Sequence, residues 1–204
     1  MAIRSNQKAR TRQALLDGAA RVLADGTAEP SMDQIAEAAQ VSRATAYRYF
    51  DSSSEVVWEV MSDRAIADVD AVMAAAGNDI TDRVLAAEEA INGYLFDDPD
   101  GARAFERAAL DRSLRGMAQD TDRAARRLGY IDAALEPIAD RLSHSERRSV
   151  RHALALAMGS QAVPAMLDTC RLDVDEARSA TRFACRTIAT EASRLARAGA
   201  SVTS

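Results

Sequence analysis

The sequence predicts an all-helical protein, and its composition supplies most of the reasons. Alanine, the strongest helix former, accounts for 44 of the 204 residues, whereas Gly (9) and Pro (4), which interrupt helices, are scarce. Valine and isoleucine together contribute only 20 residues, too few for an extensive sheet. Sheet-based enzyme folds are therefore not expected.

Capping residues divide the chain into about nine helices. Boxes of the form S-x-x-E/Q begin at Ser31, Ser52 and Ser143, and Asp173 opens a similar one. In such a box the first side chain accepts an N–H of the first turn and the fourth residue reaches back. The predicted helices span residues 8–24, 32–39, 42–49, 52–77, 80–96, 100–115, 118–142, 144–168 and 174–198.

Apolar spacing supports the first of these helices, and an uncharged stretch indicates that the penultimate one is buried. The first places Leu15, Ala19 and Leu23 on one inner face. The penultimate one contains an uncharged stretch, residues 152–167, which is too short and too polar to span a membrane and must be covered by protein. Pro164 removes one backbone donor there, so we expect a kink or an end at that point.

Charge is distributed unevenly along the chain. The net charge is −5, yet residues 1–50 carry +2 and the remainder carries −7. A basic N-terminal segment on an otherwise acidic protein is typical of a protein that binds phosphate groups through that segment. Four bases near the N-terminus form either an arm that contacts DNA or a disordered tail; they are Arg4, Lys8, Arg10 and Arg12. With no apolar leader after the basic start, and with two cysteines, we expect a cytoplasmic protein.

Residues 31–50 read SMDQIAEAAQVSRATAYRYF and predict two short helices joined by a three-residue turn. On the second helix Ser42, Ala46 and Phe50 share a face, which we expect to point at the first helix. The small side chains of Ala36 and Ala46 allow the two helices to cross closely.

The opposite face of the second helix has the residue types of a major-groove reader. Arg43 can pair bidentately with guanine, and small residues let the helix approach base edges. Tyrosine and threonine hydroxyls suit phosphate oxygens, which fix register without reading sequence. The candidate residues for binding double-stranded DNA are Ser31, Ser42, Arg43, Ala44, Thr45, Tyr47, Arg48 and Tyr49. The alternative is a pair of bundle helices that touch no nucleic acid.

Residues 11–61 resemble the N-terminal domain of the TetR/AcrR family of transcriptional repressors. The family pattern is Ile-Ala, two residues, Ala-(Gly)-Val-Ser, then Thr-x-Tyr-x-x-Phe; it is met by Ile35-Ala36, Ala39-Gln40-Val41-Ser42 and Thr45-Ala46-Tyr47-Arg48-Tyr49-Phe50. The resemblance implies a basic arm and helix-turn-helix DNA-binding domain over residues 1–51. It also implies a helical effector-binding and dimerisation domain over 52–204, a homodimer on a palindromic operator, and release by a small molecule.

Three positions depart from the family pattern. Gln40 stands where the family usually has Gly, and a left-handed conformation there would cost about 1 kcal/mol. Ala46 replaces a larger aliphatic residue, which thins the packing under the reading helix. Ser53 stands where a phosphate-contacting Lys is common. We expect these changes to reduce affinity more than they alter function.

Glu88 and Asn92 interrupt the apolar face of the helix near 80–96, one turn apart. A buried carboxylate needs a partner, which is either a donor on an effector or an internal arginine such as Arg64 or Arg112. The predicted effector-contacting residues are Trp58, Met61, Glu88, Asn92, Phe105 and Met158, with Met117 and Tyr130 as further apolar candidates.

Small and apolar residues on the two long C-terminal helices suit close contact between helices. Two such helices from each of two subunits would form a four-helix interface, the arrangement that the resemblance implies; a monomeric core is the alternative. The predicted interface residues are Leu154, Gln161, Phe183, Thr187 and Glu191.

We predict no catalytic site, metal site or cofactor. His144 and His152 are the only histidines and have no cysteine or carboxylate at metal-ligand spacing. Neither G-x-S-x-G nor a phosphate-binding glycine loop is present. Cys185 is expected to act as a small apolar residue and Cys170 as a loop thiol. Besides a ligand-released repressor, the sequence leaves open an effector-independent regulator or activator, and a ligand-binding protein or enzyme with a relict head.

Overall fold

The protein is all-helical, as its composition predicts. The structure, a computed structural model, describes residues 2–63, 68–116 and 121–202, with side chains over 6–62, 68–116 and 126–199. The α-helices it describes are α1 (Ala2–Ala24), α2 (Met32–Ala38), α3 (Arg43–Tyr47), α4 (Ser53–Asp63), α5 (Val69–Ala76), α6 (Ile80–Asp97), α7 (Pro99–Leu114), α8 (Thr121–Leu135), α9 (His144–Ala157), α10 (Ala162–Pro164) and α11 (Val174–Val202). A 3₁₀ turn over Glu136–Arg141 follows α8, and a π turn over Ala165–Thr169 follows α10.

Most helices match their predicted positions, and the differences have local causes. Helix α1 begins at Ala2 rather than near residue 8, because nothing in its first turns interrupts a helix. Pro137 lies at the start of the 3₁₀ turn, where the predicted helix 118–142 changes type. The predicted helix 52–77 is described as α4 and α5, and residues 64–67, including Arg64, lie outside the described residues. No described helix is long and apolar enough to cross a membrane.

The chain forms two compact units. Unit 1 contains α1 to α4 together with α7, and unit 2 contains α5, α6 and α8 to α11. The division at residue 51 that the sequence suggests is a functional one and stays a prediction. The units differ from it because α4 packs extensively on both α1 and α7.

The core of unit 1 fixes the crossing of its first three helices. Leu15 and Ala19 of α1 pack with Ile35 of α2 and Ala46 of α3, all of them fully buried. Gly18 allows α1 and α2 to approach closely, since a Cβ at this position would lie 3.0 Å from the Ile35 carbonyl oxygen. Burial of Ala46 in this core holds α3 on the surface of the unit.

The core of unit 2 is built where α11 packs on α6 and α9. Buried alanines along α11 let the neighbouring helices approach, and long aliphatic side chains fill the remaining space. Fully buried members of this core include Val84, Ile131, Leu135, Leu154, Met158, Cys185 and Ala189.

The long helix predicted over 144–168 is broken within its uncharged stretch, but not at the proline. Helix α9 ends at Ala157, Met158 is extended (φ −117°, ψ 129°) and Gly159 has φ +116°. Pro164 lies at the end of the short α10 instead. The break at Met158 and Gly159 therefore lies before Pro164 in the chain, by about one and a half turns of a regular α-helix.

Candidate nucleic-acid interface

Both helices of the segment 31–50 begin with the predicted caps. The Ser31 Oγ accepts a hydrogen bond from the Gln34 backbone N–H at 3.2 Å, and the Gln34 side chain accepts one from the Ser31 N–H at 2.9 Å. The Ser42 Oγ accepts from the Thr45 N–H at 3.1 Å. These bonds satisfy donors that helix starts leave unpaired, so both helix starts are fixed.

The turn between α2 and α3 has a left-handed residue at the position where the family pattern usually has glycine. Gln40 has φ +56°. Its N–H donates to the Glu37 carbonyl, and the Val41 N–H donates to the Ala36 carbonyl, each at 2.9 Å. This pair of bonds is a Schellman motif, in which glycine usually occupies the left-handed position. The backbone conformation of Gln40 is therefore less favourable than the same conformation would be for glycine.

The outer face of α3 is open to solvent. Arg43, Ala44 and Arg48 are exposed, and Tyr47 is 43% exposed. Ala46 and Phe50 are buried under the helix as predicted. Ser42 is exposed rather than turned toward α2, because its hydroxyl caps α3.

Other predicted contact residues are partly engaged within the unit. Thr45 and Tyr49 are half-buried. The Thr45 hydroxyl lies 2.9 Å from the Ser42 hydroxyl, and the Arg48 guanidinium lies 5.9 Å from the Tyr49 ring centre. Ser31 is exposed at the start of α2. These residues have contacts within the segment, and their contact with DNA remains a prediction.

Arg43 is held by two neighbours, one of which the sequence analysis missed. Its Nη1 donates to the Asp33 carboxylate of α2 at 2.8 Å, and its guanidinium carbon lies 5.5 Å from the centre of the Tyr47 ring. Asp33 lies ten residues before Arg43, so no helical periodicity connects the two positions. Only the crossing of α2 and α3 brings them together.

The basic N-terminus is described as part of helix α1, and its contact with DNA remains a prediction. Arg12 is ion-paired with Glu59 of α4, and its guanidinium lies 4.9 Å from the Phe50 ring centre. Lys8 and Arg10 are exposed on the same helix. Arg12 therefore ties α1 to the rest of unit 1, and the side chain of Arg4 lies outside the described residues.

This arrangement defines a helix-turn-helix protein with an exposed, arginine-bearing second helix. Residues 15–60 match the family model described as bacterial regulatory proteins, tetR family. This match confirms the resemblance to the TetR family over the segment that contains the helix-turn-helix, and it supports a DNA-binding regulator of TetR type.

Comparison with solved structures supports the same fold over most of the chain. A crystal structure of a TetR transcriptional regulator from Rhodococcus sp. RHA1 is similar with a TM-score of 0.59 and 20% sequence identity. The similarity covers 89% of this chain and 97% of that one. No curated protein matches the chain.

The predicted effector-contacting residues fall into both units. In unit 1, Trp58 and Phe105 contact each other with ring centres 5.0 Å apart, and Met61 is buried. In unit 2, Glu88, Asn92 and Met158 are buried. Tyr130 is buried in the core of unit 2, and Met117 lies outside the described residues. Their contact with an effector remains a prediction.

Glu88 and Asn92 are partnered inside the protein. The Glu88 Oε1 accepts hydrogen bonds from Asn92 Nδ2 at 3.0 Å and from Thr181 Oγ1 at 2.9 Å. Its arginine partner is Arg182, at 3.6 Å from Oε2, whereas Arg112 lies over the Trp58 ring in unit 1. Burial raises the pKa of Glu88, although these bonds and Arg182 act in the opposite direction.

Asn92 also closes the break after α9. Its Oδ1 accepts from the Gly159 N–H at 2.8 Å, and its Nδ2 donates to the Ala157 carbonyl at 3.0 Å. Arg127 and Gln161 each donate to the Met158 carbonyl at 3.0 Å. Side chains thus satisfy the backbone groups that an unbroken helix would have paired internally.

Of the predicted interface residues, only those on α11 present a surface. Phe183 is 72% exposed, and Thr187 and Glu191 are exposed one and two turns further along the same face. Leu154 is 0% exposed within its own chain, so it offers no surface to a partner and we remove it from the interface. Gln161 is half-buried, and its amide donates hydrogen bonds to the Ala155 and Met158 carbonyls at the helix break.

The described residues contain no group of three or more His, Cys, Asp or Glu that could hold a metal ion. Cys185 is 0% exposed, and burial raises the pKa of its thiol to about 12, so it carries no thiolate at neutral pH. Cys170 is exposed and unbridged. Cys185 is therefore a packing residue.

Proposed function

We propose that the protein is a homodimeric transcriptional repressor that binds a palindromic operator through α3 and leaves it when a small-molecule effector binds. The observation that carries the proposal is the exposed face of α3, with Arg43, Ala44, Tyr47 and Arg48 on a capped helix-turn-helix of TetR type. Arg43 would contact a base edge, and Tyr47 and Arg48 would contact phosphate.

Homodimer formation is supported by an apolar groove between α9 and α11. The groove has a volume of about 470 Å³ and is lined by Val150, Ala153, Ile188 and Leu195, among others. Phe183 is exposed on the same helix, α11. An exposed aromatic near an apolar groove is the usual composition of a protein interface. A two-fold dimer would place two reading helices about one DNA turn apart, or a multiple of it.

Release by an effector rests on the family resemblance, and unit 2 indicates what it would require. An effector that engages the Oε1 of Glu88 would compete with the hydrogen bonds from Asn92 and Thr181. Because Asn92 also bonds to Gly159 and Ala157, its displacement would disturb the break after α9. Such a coupled change would shift the population of dimer geometries and lower operator affinity.

A second candidate is a regulator of the same fold that needs no effector. It is favoured by one observation, namely that Glu88 and Asn92 satisfy each other and the backbone around them. Native mass spectrometry of the purified dimer separates the two candidates. A retained small molecule that is lost when operator binds supports effector release, whereas an operator affinity that no small-molecule fraction of the cell extract lowers supports the second candidate.

Selection from random duplex DNA by the purified protein tests the shared part of both candidates. We expect the selected sequence to be palindromic and its affinity to fall steeply with salt. Each neutralised phosphate contributes about −0.9 to the slope of the logarithm of the binding constant against the logarithm of the salt concentration. Enrichment of no sequence at all would reject the proposal, and an asymmetric single half-site would reject the dimer.

A further inference from the structure

Asp33 is an acidic residue placed beside the helix that would approach DNA. Its side chain is 59% exposed, and it lies in the first turn of α2. A carboxylate at such a surface repels phosphates, so it lowers affinity for every DNA sequence alike. A carboxylate in the first turn also stabilises the helix end, and in addition Asp33 contacts a neighbour on α3.

The neighbour is Arg43, the one residue of α3 that we expect to read a base. The Asp33 Oδ2 accepts a hydrogen bond from Arg43 Nη1 at 2.8 Å. The Tyr47 ring lies below the same guanidinium, 5.5 Å from its carbon. The carboxylate contacts one nitrogen of the planar group and the ring lies beside it, while Arg43 remains 61% exposed.

This contact leaves a complete edge of the guanidinium for a ligand. Arginine has five N–H donors, and recognition of guanine uses two parallel donors toward O6 and N7. With one N–H of Nη1 donated to Asp33, the Nε and Nη2 edge remains available. An arginine held in this way loses less conformational freedom when it binds, and it is less able to swing to a phosphate.

We propose that Asp33 is a positioning residue that sets sequence specificity by holding Arg43 for guanine. The proposal rests on the proposed function, because it assumes that α3 reads a base. Asp33 lowers affinity for all DNA through its charge and raises discrimination through its hold on Arg43. Removing it would loosen Arg43, which could then neutralise a phosphate at any sequence.

The test compares Asp33→Asn with Glu37→Gln, an equal change of charge at an exposed position one turn further along α2. Affinities are measured for the selected operator, for operators with each guanine changed to adenine, and for unrelated duplex. Both variants should bind unrelated duplex a few-fold more tightly, because each removes one negative charge. Only Asp33→Asn should lose discrimination at one base pair per half-site, by on the order of tenfold.

Two further measurements separate positioning from a structural role. In the Arg43→Ala background, Asp33→Asn should change discrimination no further, since the residue it acts through is absent. A merely structural loss, such as a weaker start of α2, would lower binding to all sequences equally and lower the melting temperature. Equal discrimination by Asp33→Asn and Glu37→Gln, with a selective wild type, would overturn the positioning role alone. A wild type without sequence preference would overturn the proposed function itself.

Discussion

At the scale of single residues, Gln40 occupies a conformation that glycine adopts more easily. At a φ of +56° the Cβ lies too close to the carbonyl oxygen that follows it. Glycine has no Cβ and avoids this steric cost. We predict that Gln40→Gly raises the free energy of unfolding by about 0.5–1 kcal/mol. Chemical denaturation measures it, with Gln40→Ala as the control that keeps the Cβ. An equal gain from Gln40→Ala would show that strain at this position is not the cause.

Glu88 makes the stability of unit 2 depend on pH. Burial raises the pKa of its carboxyl above the ordinary value of 4.5, so the folded state holds this proton more tightly than the unfolded state. The resulting stabilisation is full below pH 4.5 and is lost as the pH rises through the raised pKa of the folded state.

We predict that Glu88→Gln gains stability relative to the wild type as the pH rises above 4.5 and through the raised pKa of Glu88. The glutamine oxygen can still accept from Asn92 and Thr181, and it has no proton to lose in this range. Urea denaturation of both proteins at each pH measures the difference. A difference that stays constant with pH would contradict this assignment of the titrating group.

The sequence predicts what helical spacing determines and misses what helix crossing determines. The exposure of Arg43 and the burial of Ala46 follow from a turn of 3.6 residues, and both are found. The pairing of Arg43 with Asp33 depends on the angle at which α2 crosses α3, which no local pattern encodes. Leu154 fails for a similar reason, because an apolar face of α9 is equally suited to a core and to an interface.

At the scale of elements, the break after α9 depends on one glycine. Gly159 has φ +116°, and a Cβ on it would lie 2.5 Å from Arg127 Nη1 and 3.0 Å from the Gln161 side-chain oxygen. We predict that Gly159→Ala lowers the free energy of unfolding by about 1–3 kcal/mol.

Gly129 provides the matched control for this prediction. It lies within α8, and a Cβ there would meet nothing within 4 Å. Gly129→Ala should therefore raise stability by about 0.5–1 kcal/mol, because alanine is the better helix former. Thermal denaturation of the two variants measures both effects. A Gly159→Ala protein as stable as the wild type would contradict the described geometry of the break.

The position of this break could not be read from the local sequence. Gly159 and Pro164 are both helix-interrupting residues, and Pro164 has the stronger intrinsic effect. Asn92 decides between them, since it hydrogen-bonds to Ala157 and Gly159 from a helix 65 to 67 residues earlier in the chain. The same asparagine interrupts an apolar face of α6. Its polarity therefore predicted a polar contact, but the sequence did not identify the partner.

At the scale of the whole molecule, composition predicts the fold class and the motif predicts the family. Alanine content and capping boxes suffice for an all-helical chain, because they act locally. The grouping of α7 with α1 to α4 was not predicted, since it arises from packing between α4 and α7, which are distant in the sequence. The apolar groove of unit 2 was not predicted as a groove either, although Phe183, Thr187 and Glu191 were placed on its helix.

Dimerisation through unit 2 can be tested at Phe183. We predict that Phe183→Glu weakens the proposed dimer on the order of a hundredfold, since a charge would replace an exposed apolar side chain of the proposed interface. Leu110→Glu is the control, because Leu110 is likewise exposed (59%) but lies on α7 of unit 1. Sedimentation over a range of concentrations measures both. Dissociation by Leu110→Glu and not by Phe183→Glu would move the interface to unit 1.

The central claim is that α3 reads DNA sequence through Arg43. The most direct test is the affinity of Arg43→Ala for the selected operator and for its single-base variants, beside Arg148→Ala, an exposed arginine of α9. We predict that Arg43→Ala loses about 1–3 kcal/mol of operator binding and its preference at one position per half-site. Arg148→Ala should keep both. Wild-type affinity and selectivity in Arg43→Ala would contradict the claim.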